Sequence, residues 1–250
     1  MKNVKKFLLT MAMTMALGTS AFAASGFEFI FQFDGGINYT IPTQESKDLG
    51  MNGDLGGFAG VDAQIGYMFQ VKEGFGISLL AELGYSWDSY SLSDSSTKIP
   101  LLLDNGETAE AYWTMWQYYH NFKVGLLPKF NIGVGRRGAI ALGIGGGVKI
   151  PMAGYSIIGL QYHYSDGNSS KFGLDGIDMK REDITDAFSP SVIGYVKVTF
   201  DYYLFFTDNI GMNFGFYLGG DFAPKVKELK IGGDAFDFGL QLGFRFGPKA

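Results

Sequence analysis

The sequence predicts an all-β chain: eight antiparallel strands closed up-and-down into a transmembrane barrel. Three observations lead there. Apolar and polar residues alternate with period two in one segment after another. Glycine and aromatic residues are both in excess, with 37 glycines in 250 residues and 16% Phe, Trp and Tyr, where glycine averages roughly 7%. The connections between alternating segments are short and long by turns.

The first residues read as an export leader. Lys2, Lys5 and Lys6 precede an apolar run from Phe7 to Leu17, and Ala21-Phe22-Ala23 sets small residues where a signal peptidase reads. The run is far shorter than the roughly 20 apolar residues of a spanning helix. Cleavage is expected after Ala23, giving a leader over 1–23 and one barrel domain over 24–250. Losing three lysines leaves 17 Lys and Arg against 25 acids, a net charge near −8. Nucleic acid is therefore not an expected partner. The absence of Cys excludes a disulfide framework, thiol catalysis and thiolate metal sites.

The first strand is expected over Phe27 to Tyr39, with Phe27, Phe29, Phe31 and Phe33 facing one way and Glu28, Gln32 and Asp34 the other. In the second, near Phe58 to Phe69, Val61, Ala63, Ile65 and Tyr67 oppose Asp62, Gln64 and Gly66. The third starts at Phe75 and sets Leu79, Leu83, Tyr85 and Trp87 against Ser78, Glu82, Ser86 and Asp88. The fourth, Trp116 to Ile132, opposes Tyr118, His120, Phe122 and Val124 to Asn121, Lys123, Lys129 and Asn131. Pro128 falls within it and cannot donate to a ladder, so the strand is expected to end near Leu127 or to bulge there.

The fifth has Ile140, Leu142, Ile144, Val148 and Ile150 against Gly143, Gly145, Gly147 and Lys149. The sixth opposes Val196, Val198, Phe200 and Tyr202 to Tyr195, Lys197, Thr199 and Asp201. The seventh opposes Phe214, Phe216 and Leu218 to Asn213, Gly215, Tyr217 and Asp221. The eighth opposes Phe236, Phe238, Leu240 and Leu242 to Asp237, Gly239, Gln241 and Arg245. The links at 72–74, 135–138 and 207–209 are tight. Those at 40–57, 91–112, 151–191 and 223–234 are long and polar, which is the alternation of periplasmic turns and extracellular loops.

Alternation alone does not say which face is inside, since a soluble lipocalin-like barrel also alternates. The apolar faces carry more aromatic bulk than an eight-stranded interior can hold, whereas the polar faces are rich in small residues. Aromatics also gather near strand ends, as interfacial girdles do. The greasy faces are therefore expected to meet lipid. Hydrocarbon offers backbone groups no partners, so the eighth strand must close on the first. Glu28 and Arg245 are expected to meet inside.

That orientation puts Glu28, Asp34, Asp62, Glu82 and Asp88 on one inner wall. Lys123, Lys129, Lys149 and Lys197 come from the other, with Asp201 nearby. A cross-lumen ionic network is expected, because an unpaired charge in a narrow lumen costs several kcal/mol.

The last strand carries Asp237-Phe238-Gly239 followed by Leu242 and Phe244, a pattern that resembles the terminal-strand signal read by the barrel-assembly machinery. Phe246 is its last aromatic, with Gly247-Pro248-Lys249-Ala250 trailing beyond. The mature chain resembles the small outer-membrane β-barrel superfamily that includes the OmpA membrane domain, OmpX and OmpW. The resemblance rests on strand count, loop alternation and this last strand. It implies residence in the outer membrane, contact with its lipid, and delivery by the assembly machinery.

Candidate chemistry is sparse. His120 lies on the lipid phase beside Phe122, and His163 lies in Tyr162-His163-Tyr164-Ser165-Asp166, where adjacent loop residues seldom converge into a triad. Asp166-Gly167-Asn168-Ser169-Ser170 is similar to half a calcium loop, but Lys171 and Ile177 stand where a Gly and a Glu are needed. No cofactor, metal or enzymatic activity is expected. Ile99-Pro100-Leu101-Leu102-Leu103 is unusually apolar for a loop; folding over the mouth, lipid contact and partner docking all remain open. The expected function is a structural, surface-exposed barrel whose loops bind or adhere to a ligand or host surface. A narrow pore for small solutes, apolar ones as the OmpW resemblance implies, is the alternative, and an outer-membrane lipid-modifying enzyme a distant third.

Overall fold

The computed structural model describes residues 25–94, 99–102, 108–164, 169–173 and 176–250. The leader positions Ala21 and Ala23 lie outside the described residues, as do Leu103 and 165–168. Eight long strands form the wall: β1 (Gly26–Pro42), β2 (Leu55–Lys72), β3 (Phe75–Asp94), β4 (Thr108–Leu126, resuming as Lys129–Val134), β5 (Gly138–Tyr164), β6 (Ile193–Phe205), β7 (Ile210–Phe222) and β8 (Gly233–Phe246). Each pairs antiparallel with the next. β8 pairs with β1 from Phe29↔Phe246 to Pro42↔Gly233, closing the ring. Closure removes the edges that hydrocarbon would leave unpaired.

The tight turns are built where glycine supplies a left-handed backbone, at Gly74 (φ 73°) and Gly135 (φ 61°). Between Leu126 and Lys129 the ladder survives Pro128. Leu127 N donates to Leu80 O at 2.8 Å, and Ile144 N donates to Pro128 O at 3.1 Å. Proline thus loses one donor but still accepts, and the inward phase of β4 carries through from Lys123 to Lys129.

Three segments expected as loops are instead strand. β3 runs on to Asp94, β4 starts at Thr108 and β5 reaches Tyr164. The β4–β5 pairing extends to Ala109↔Tyr164, well beyond Lys149↔Ile193, where β5 parts from β6. Ile99–Leu102 adds to it along Thr108–Ala111, and Ser169–Gly173 along Gly159–His163. The apolar Ile99 segment is therefore a strand beside β4, not an irregular loop. Pro151 also lies within β5: Asn121 faces Pro151 while His120 faces Ala153, so Met152 is an extra residue. That bulge flips the phase of everything after it, as an unpaired residue must. A period-two reading in one phase ends there, so the rest of β5 read as loop.

Two short helices sit among the loops. α1 (Gln44–Asp48) is capped by Thr43, whose Oγ1 accepts from Ser46 N at 3.2 Å. α2 (Arg181–Ala187) starts where Asp183 Oδ2 accepts from Lys180 N at 2.8 Å.

Candidate functional site

The outer wall is greasy along its length. Phe33, Leu55, Leu126, Ile144, Val196, Phe214, Phe236 and Leu240 are all exposed, Leu240 the most among those of β8 at 64%. In water such a belt would be far larger than soluble monomers tolerate. His120 belongs to this outer face, its Nδ1 2.6 Å from Tyr85 Oη. The partner tyrosine satisfies it, and no serine stands beside it in that contact. The backbone of His163 pairs within the β5 extension, whereas Ser165 and Asp166 lie outside the described residues. Among the described residues no cluster of His, Cys, Asp or Glu is arranged to hold a metal ion.

The interior is layered. Its middle layer is ionic. Lys123 Nζ stands 2.7 Å from Asp62 Oδ2, 3.8 Å from Asp34 and 3.9 Å from Glu82. Lys197 Nζ is 2.6 Å from Glu82 and 3.8 Å from Asp62. Tyr195 Oη donates to Glu82 at 2.9 Å. These groups come from β1, β2, β3, β4 and β6, so the contacts cross the lumen. The layer above holds Lys149 Nζ between Asp88 at 2.8 Å and Asp221 at 2.6 Å. Tyr90 Oη also donates to Asp221, and Asn121 to Asp88. Asp237 faces the same space and is buried with Oδ1 unpartnered.

The layer at the short-turn end has another character. Arg245, fully buried, lies 3.0 Å from Glu28 Oε1 through Nε. Its other nitrogens donate to Asn131 Oδ1 at 2.9 Å and to Pro248 O at 3.0 Å. Glu28 also accepts from Ser78 Oγ. Lys129 Nζ turns to Asp201 at 2.9 Å, a pair between nearby staves rather than across the bore. Around these sit Ile30, Leu80, Ala139, Ala141, Tyr203 and Phe205, one apolar cluster. Ile30 and Leu80 interrupt the polar phase of their strands, where only polar side chains were expected. The Arg245 guanidinium carbon lies 4.4 Å from the Tyr203 ring centre, so the cluster and the ion pair share one surface.

The mouth at the long-loop end is also covered. Met179, Ile184 of α2 and Phe188 pack with Ile193, Ala223 and Ala235 onto Tyr90 and Tyr119 of the bore. Arg181 ties α2 to the rim by donating to the Ser191 and Pro151 carbonyls. Between the lid and the floor, a cavity lined by Asp34, Asp88, Lys149, Tyr217 and Asp237 measures about 20 Å³. That is room for about one water.

The eleven charges read from the sequence thus all point inward, in three groups rather than one. Asp221 was legible on the polar face of its strand but not as a partner of Lys149; its phase with Asn213 and Tyr217 was the available signal. Asp237 and Gly239 of the terminal-strand pattern face the bore, whereas Leu242 and Phe244 face outward.

Interior glycines make room for this packing. A Cβ on Gly125 would stand 2.1 Å from Tyr195 Oη and 2.8 Å from Gly146 O. Gly125→Ala should therefore displace Tyr195 from Glu82 and lower stability by about 1–3 kcal/mol, as overpacking does. Urea unfolding in detergent measures this; an unchanged midpoint would show that the ring moves freely.

No family model matches the chain, and no curated protein matches it. Several solved barrels are similar in outline. Neisserial surface protein A is 9% identical, covering 90% of this chain and 99% of that one at a TM-score of 0.35. OprG from Pseudomonas aeruginosa is 11% identical, covering 91% and 97% at 0.39. The outer membrane protease OmpT from Escherichia coli is 9% identical, covering 92% and 99% at 0.39. The closed eight-strand ring, with an exposed apolar wall outside and paired charges within, makes the chain an eight-stranded up-and-down β-barrel of the transmembrane type.

Proposed function

We propose that the chain is a sealed, non-enzymatic scaffold that presents an extracellular binding or adhesion surface. One observation carries the reading: the bore is filled at three levels, by the lid cluster, the ionic layers and the Arg245 floor. A solute would have to displace apolar packing at both ends and separate buried ion pairs between them. Function then falls to the loop side, where the open ends of β4 and β5 and their flanking strands run past the ring. Rigid staves holding variable loops suit recognition, with a ligand or host surface as the partner. Leu242 and Phe244, on the outer face of β8, are offered to the assembly machinery after a leader ending at Ala23 has been removed.

Purified barrel in planar lipid bilayers should give no stable openings. Reproducible conductance would overturn the sealed reading and favour the passage of small solutes instead. Cells expressing the barrel with residues 99–102 replaced by a Gly/Ser segment test the surface role. Lost adhesion to host-cell or matrix coats would support it, and unchanged adhesion would remove that segment from it.

A further inference from the structure

The chain as a whole is acidic, at a net −5, yet its periplasmic rim is not. The turns and tail there carry Lys72, Arg136, Arg137 and Lys249 against Glu73 and Asp208. Three of these four cations, Arg136, Arg137 and Lys249, line one cavity. The tail turns under the barrel, where Gly247 N donates to Asn209 O at 2.9 Å. Lys249 Nζ donates to the carbonyls of Gly135 and Arg136. This brings the 135–138 turn, the 206–209 turn and the tail around one open cavity of about 550 Å³. Arg136 and Arg137 are exposed there, and among the described residues neither has an acidic partner within salt-bridge distance, although Asp208 also lines the cavity.

The cavity wall is continuous with hydrocarbon-facing surface. Phe206, 55% exposed, lines it, and Val134, Leu204 and Ile210 are exposed beside it on the outer wall. Val134 and Leu204 both flank Gly138 in register. A ligand seated here meets cations at one end and apolar wall at the other. Guanidinium groups suit phosphate through paired N–H donors. A free anion would not use the apolar wall.

We propose that this cavity, which Lys72 does not line, is a binding site for the phosphate headgroup of an anionic phospholipid of the inner leaflet. Arg136 and Arg137 hold the phosphate, and the acyl chains lie along Phe206, Val134 and Leu204.

The test uses folded barrel in neutral detergent, with dimyristoylphosphatidylglycerol as probe and retained lipid read by native mass spectrometry. Phosphatidylglycerol should be retained in preference to phosphatidylcholine, and millimolar inorganic phosphate should not displace it. Arg136→Gln with Arg137→Gln should weaken retention about 20-fold, since each cation near an anionic lipid surface contributes roughly equally. Lys72→Gln, on a different turn, should leave it unchanged. Heat-modified gel mobility checks that each variant is folded. Should the double variant not fold, either single substitution should weaken retention about fivefold. Equal retention of phosphatidylcholine, displacement by inorganic phosphate, or an equal loss in Lys72→Gln would each overturn the proposal.

Discussion

Lys123→Met should lower the unfolding free energy by about 3–5 kcal/mol, the cost of removing one partner from a buried ionic group. Lys123 is the cation against which Asp34, Asp62 and Glu82 are all held within 4 Å. Without it, Glu82 and Asp62 share only Lys197, at 2.6 and 3.8 Å, and Asp34 loses the ammonium it is paired with. All three carboxylates are buried, and only Asp34 borders the cavity with room for about one water, so little solvent is at hand to relax them. Methionine keeps most of the side chain's volume, so the change reports charge and not a cavity. The double variant Lys123→Met with Asp62→Asn should recover a large part of the loss, because it removes the carboxylate nearest to the missing ammonium. Urea unfolding in detergent or lipid vesicles measures both. A single variant within about 1 kcal/mol of wild type would show that the layer is not held together by ionic pairing.

Leu240→Arg should destabilise the inserted barrel by about 2–4 kcal/mol, as a cation does at the midplane of a barrel's lipid face. Leu240 is 64% exposed, pairs with Gly35 on one side and Phe216 on the other, and sits midway along β8. Phe216 and Phe238 stand near it on the same wall, also exposed. The arginine would have to thin the bilayer or reach along the wall towards headgroups. A matched change on the other phase separates membrane contact from general damage. Gln241→Arg points into the bore opposite Asp34, an acid that can share the new cation, so it should be tolerated better than Leu240→Arg. Equal losses at both positions would contradict the outward orientation of the belt.

Much of this architecture was legible because a β-strand repeats every two residues. Phe27, Phe29, Phe31 and Phe33 alternate with polar neighbours and stand on the lipid side, and the same phase put Glu28 within the bore. Given closure, Glu28 near the start of β1 and Arg245 near the end of β8 had to lie at the same end of adjacent staves. Their 3.0 Å contact follows from register. Where the pattern broke, the reading failed for local reasons. Met152 inserts an extra residue, so the later half of β5 changes phase and no longer looked like the same strand. Ile30 and Leu80 are apolar on the inward phase because the floor is a packed cluster, which single-strand periodicity has no means of announcing.

By itself, then, the sequence determined the strands, their two faces, and the sign of every charge in the bore. Those are properties of one segment at a time, carried by the pleat and by what hydrocarbon excludes. Which acid meets which base depends on staves more than a hundred residues apart, such as Glu82 with Lys197, and only the closed ring brings them together. The lid of α2 over Tyr90 and Tyr119, and the tail folded beneath the barrel to make a basic rim, were decided there too. Each arises from packing between segments that carry no shared period.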